Sequence, residues 1–141
     1  MLKKFFKKKT EEKANGKNIL IAALLIHAAK IDENYTSVEK GIIKKALTNL
    51  FKLESKKVDE LLIEAEKKEQ DSNQIIEFTR EIKKNSLEFR LKIIEILWKI
   101  VYSDNANDMY ESNLIRRVCG LLYVSDKESG TIKIKVINSI K

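Results

Sequence analysis

Four carboxylates stand in two matched pairs, Asp32 with Glu39 and Asp104 with Glu111. In each pair the Glu follows the Asp by seven residues, across a short polar loop. Each Asp also ends an apolar stripe at helical spacing: Ile21, Leu25, Ala28 and Asp32 in one, Ile93, Leu97, Ile100 and Asp104 in the other. A carboxylate at the foot of such a stripe is drawn inward, where desolvation is costly unless it finds a partner. A backbone N–H, a cation or a metal would each serve. The loop Asp104-Asn105-Ala106-Asn107-Asp108 is rich in the oxygen ligands that hard cations take. It is not an EF-hand, because the loop glycine is missing and Glu111 comes too early. Two carboxylates per copy leave much of a Ca²⁺ shell to water or backbone, so weak binding is expected.

The two glutamates have a second reading. Thr36-Ser37-Val38-Glu39 has the spacing of a capping box, in which the Glu reaches back to the cap residue's N–H. Asp108-Met109-Tyr110-Glu111 shares it, and so does Ser125-Asp126-Lys127-Glu128, where no cation is suspected. Cap and ligand both remain open for Glu39 and Glu111.

Other chemistries find little support. His27 is the only histidine and lies on a stripe with Leu20, Ala23, Leu24 and Ile31, so it reads as a packed helix residue. No Cys–His or His–His pair has metal-ligand spacing. Cys119 is the only cysteine, sits in an apolar stretch and reads as a small buried hydrophobe. There is no glycine-rich phosphate loop. The chain does not read as a conventional enzyme.

The elements that must position these residues are helices. The 141 residues are 43% hydrophobic and 35% charged, which suits one globular helical domain. Proline is absent, so nothing forces an interruption inside a helix. Helices are expected from about Asn18 to Ile31 and Ser37 to Lys52, then from starts at Ser55, Asp71, Asn85 and Asp108. Trp98 falls within the fifth and reads as a core anchor. Ile132, Ile134 and Val136 alternate with lysines like a strand, but no other strand exists to pair with, so a short C-terminal helix is expected.

An offset of 72 residues makes the chain repeat. Ile21, Leu25, Ala28, Ala29 and Asp32 fall on Ile93, Leu97, Ile100, Val101 and Asp104. Glu39, Ile42, Ile43, Ala46 and Leu50 fall on Glu111, Leu114, Ile115, Val118 and Leu122. The fold class is therefore all-α: a compact bundle of six to seven helices with two pseudo-symmetric helical hairpins.

The net charge of +7 lies at the ends. Residues 1–18 carry +5 and residues 131–141 carry +3, which leaves the 112 residues between them at about −1. A nucleic-acid binder would carry a basic stripe on its folded surface, so that class is disfavoured. Residues 1–17 read as a basic arm ended by a break at Asn15-Gly16, with the domain at 18–141. In the arm, Leu2, Phe5 and Phe6 share one side of a possible helix among five lysines, which suits a peripheral membrane contact or a protein partner. No signal peptide or membrane-spanning run is visible, so the cytoplasm is the default expectation.

The segment Ala22-Ala23-Leu24-Leu25-Ile26-His27-Ala28-Ala29-Lys30-Ile31-Asp32, followed by Val38-Glu39, resembles the signature of the tellurite-resistance TerB-like family. Trp98-Lys99-Ile100-Val101-Tyr102-Ser103-Asp104, followed by Tyr110-Glu111, resembles its second copy. The likeness spans roughly residues 18–130 and departs at Glu33 and Asn105, where the family often has glycine. It implies a compact all-helical domain of tellurite and chemical stress systems. It also implies a divalent cation such as Ca²⁺, Mg²⁺ or Mn²⁺, with Asp32, Glu39, Asp104 and Glu111 as its ligands.

Overall fold

A computed structural model describes the backbone of residues 2–31, 35–72, 74–103 and 109–140; it describes side chains from residue 16 onward, except those of residues 109–111 and 140. Seven helices follow in order: α1 (Leu2–Lys30), α2 (Ser37–Phe51), α3 (Ser55–Asp71), α4 (Ile76–Lys83), α5 (Leu87–Val101), α6 (Met109–Leu121) and α7 (Asp126–Ile140). No strand occurs among the described residues.

The core is organised around α1. From Ile21 to Ala29 every residue except His27 is buried, and α2, α3, α4 and α5 all pack against this helix. A helix that is apolar all round belongs at the centre of a bundle. Its alanines at 22, 23, 28 and 29 let neighbouring helices approach closely. The second stripe behaves alike: Ile93, Leu97, Ile100 and Val101 are buried on α5. Trp98 anchors α7 as well, donating from Nε1 to Ser129 Oγ at 3.1 Å.

The two hairpins differ in their second helices. Leu114 and Val118 on α6 and Leu122 just past its end are buried, with α4, α5 and α7 packed around that helix. Their counterparts on α2, Ile42, Ala46 and Leu50, are only half-buried.

Three boundaries differ from expectation. Asn15-Gly16 does not break α1, which runs through both residues. A helical glycine costs only about 1 kcal/mol relative to alanine, too little to stop a helix by itself. Asp71 ends α3 instead of opening α4; Ser72 closes that end, donating from Oγ to the Lys68 carbonyl at 2.8 Å. Asn85 closes α4 through its side-chain amide on the Glu81 and Ile82 carbonyls, and Ser86 is the cap of α5, accepting from Phe89 N at 3.2 Å. The expected start of α6 at Asp108 lies outside the described residues.

The C-terminal segment is helical. Its inward face is Ser129, Ile132 and Val136, while Ile134 points to solvent at 60% exposure. The strand-like alternation was incidental to a helical face. Ser125 starts this helix with a complete capping box: Ser125 Oγ accepts from Glu128 N at 3.1 Å, and Glu128 Oε1 accepts from Ser125 N at 3.1 Å.

Candidate functional site at the corner of α1, α2 and α3

The end of α1, the start of α2 and the end of α3 meet at one acidic corner. Thr36 caps α2, and its Oγ1 accepts from Glu39 N at 3.1 Å. Glu39 Oε1 in turn accepts from Thr36 N at 3.1 Å and from Thr36 Oγ1 at 3.0 Å. The capping reading of Glu39 is therefore correct in its geometry. Its burial exceeds what capping requires: Glu39 is 1% exposed, whereas Glu128 makes the same set of bonds at the surface.

Glu69 belongs to the same corner. It is 9% exposed, and its carboxylate accepts from Lys30 Nζ at 2.7 Å and lies 3.2 Å from His27 Nδ1. His27 thus packs at the rim of the core with a third of its side chain exposed and its ring facing a carboxylate. Lys40 pairs with Glu66 at 3.4 Å. Tyr35 lies among these acids, its hydroxyl buried and without a hydrogen-bond partner among the described residues. Burial, and then the negative charge of Glu66, Glu39 and Glu69, holds its phenol far above the ordinary range. The phenol stays protonated at any physiological pH.

Of the four carboxylates singled out from the sequence, only Glu39 can be placed in full. Asp32 and Asp104 lie outside the described residues, and Glu111 sits in the first turn of α6 with its side chain undescribed. Among the described residues no three His, Cys, Asp or Glu side chains converge in a way that would hold a metal. Cys119 is buried, and that burial pushes its thiol pKa up, in keeping with a packing role.

Sequence reasoning missed Glu69 and Tyr35. Glu69 carried a usable signal, since it continues the α3 stripe of Val58, Leu62 and Ala65, as Asp32 does on α1. Tyr35 carried none, because only the fold brings α3 against it.

The family model for tellurite resistance protein TerB matches residues 18–134, most of the chain. The chain belongs to the TerB family. Comparison with curated proteins and with solved structures gave no match. The matched span of this TerB domain contains both Asp–Glu pairs and the whole acidic corner. It also takes in all of α2 to α6, and it begins inside α1, beyond the lysine-rich first turns.

Proposed function

We propose that this TerB domain is a non-enzymatic component of a tellurite or chemical stress response in the cytoplasm. In this reading it binds a divalent cation through Asp32 and Glu39 in one half, and Asp104 and Glu111 in the other. The observation that carries the reading is the burial of Glu39. Two glutamates make the same capping bonds; one remains at the surface, and the one at the acidic corner is enclosed. Thr36 N and Thr36 Oγ1 both donate to Glu39 Oε1, which fixes that enclosed carboxylate in place. Carboxylate oxygens are the donor class that Ca²⁺, Mg²⁺ and Mn²⁺ accept. A bound cation would supply positive charge there, and Glu39 would hold it from a position fixed by Thr36.

The test is thermal melting of the metal-free chain with and without each cation. Saturable stabilisation that disappears in D32N/D104N supports the reading. An equal shift in the variant removes it.

A second reading rests on α1 continuing to Leu2. Leu2, Phe5 and Phe6 stand at i, i+3 and i+4 in its sequence, the spacing that a membrane-surface or partner contact uses. Flotation with anionic liposomes tests it: binding lost on deletion of residues 2–15 supports this role, and binding retained excludes it.

A further inference from the structure

The short helix α4 fills a place in the second half that stands open in the first. It packs against both α1 and α6. Under the 72-residue offset α1 corresponds to α5 and α6 to α2, so the equivalent place lies between α5 and α2. An open groove of about 680 Å³ runs there. Its α2 side is Val38, Ile42, Ala46 and Leu50; its α5 side is Ile96, with Tyr102 at the end. Three of these, Ile42, Ala46 and Leu50, are the counterparts of the buried Leu114, Val118 and Leu122, and Val38 is 60% exposed.

The rim is basic. Lys45, Lys92 and Lys99 border the groove and are exposed, and none of them makes an ion pair among the described residues. The lysines on the other side of α2 do: Lys44 pairs with Asp59 at 3.0 Å and Lys40 with Glu66 at 3.4 Å. Glu95, the one acid on the rim among the described residues, is answered by Lys135 at 3.5 Å. The groove therefore joins an apolar floor to three cations that lack acidic partners among the described residues.

We propose that the α2–α5 groove seats a short amphipathic helix of a protein partner, apolar on one face and acidic on its flanks, in the place that α4 takes in the other half. The α4 segment shows the pattern that fits such a place: Ile75, Phe78, Thr79 and Ile82, at i, i+3, i+4 and i+7, are all buried. Charge excludes the nearest alternatives. The chain's own residues 4–11 stand at the α4 offset, but they are rich in lysine, and Lys3 and Lys7 fall where α4 has Ile75 and Thr79. A second copy docking through the same face would set lysines against lysines. A small amphiphile needs a site that buries most of its surface, whereas Val38 on this floor is 60% exposed. The inference does not depend on cation binding.

The probe is a synthetic peptide of residues 74–85 with Arg80, Lys83 and Lys84 replaced by Glu, titrated against the full chain in EDTA by fluorescence anisotropy. Saturable binding is expected, weakened by salt and by at least about tenfold in both V38D and K45E/K92E/K99E. All four altered positions are exposed, and circular dichroism checks that each variant folds. Absence of saturable binding, or binding indifferent to both variants, overturns the proposal. So does an affinity that rises about tenfold on deletion of residues 2–15, which would make the chain's own arm the occupant. A dimer that V38D disperses in sedimentation overturns it in favour of a second copy.

Discussion

Thr36 and Glu39 hold one another through three hydrogen bonds at the start of α2. Removing the cap acceptor exposes orphan N–H groups of the first turn, so Thr36→Ala should cost about 1 kcal/mol of stability in a denaturant melt. The Ser125–Glu128 box gives a pH test. Hydrogen bonds from the Ser125 backbone, and then from its hydroxyl, hold the Glu128 carboxyl below its ordinary value of 4.5. A depressed folded pKa adds stability that is present above the unfolded value and is lost as pH falls through the folded one. Glu128→Gln should therefore flatten the acid limb of the melting-temperature profile below about pH 4.5 while leaving its slope at neutral pH unchanged. A profile that keeps the wild-type acid limb would show that the bond carries no charge dependence. Both boxes were legible in the sequence because a cap is local, fixed by residues three apart. The different burial of Glu39 and Glu128 was not legible, because burial depends on which helix arrives above each box.

The helices themselves were legible for the same reason. Apolar spacing placed α2, α5 and the part of α1 from Asn18 onward, and the absence of proline leaves nothing to interrupt them. Where boundaries moved, a side chain from the neighbouring turn had decided them, as Asn85 did for α4 and Ser86 for α5. The continuity of α1 through Gly16 yields a direct prediction. Gly16 does not take a positive φ, and an added Cβ would meet nothing within 4 Å. Gly16→Ala should then raise stability by about 0.5–1 kcal/mol in a thermal melt, through helix propensity and a less flexible unfolded chain. A destabilised variant would mean that the helix breaks there. In the buried turn of the same helix, Leu25 is fully enclosed, and Leu25→Ala should cost about 3 kcal/mol by denaturant titration.

The whole molecule is two related hairpins completed in different ways. On one side of the pair α4 is wedged between α1 and α6, and on the other the place between α2 and α5 is open and bordered by lysines. The repeat was visible along the chain, since it is a property of spacing. The open groove was not, because it arises from a helix that one half possesses and the other lacks. The acidic corner has the same origin: Glu69 and Glu66 come from α3, and Tyr35 and Glu39 from beyond a turn, and only packing brings them together. Burial of a carboxylate at that corner, in a chain of the TerB family, makes cation binding the property to measure. The direct measurement is calorimetric titration of the metal-free protein with Ca²⁺, Mg²⁺ and Mn²⁺, alongside D32N/D104N. Saturable heat in the wild type that vanishes in the variant is the predicted result. No saturable heat, or heat unchanged in the variant, would contradict it and leave Glu39 as a buried cap.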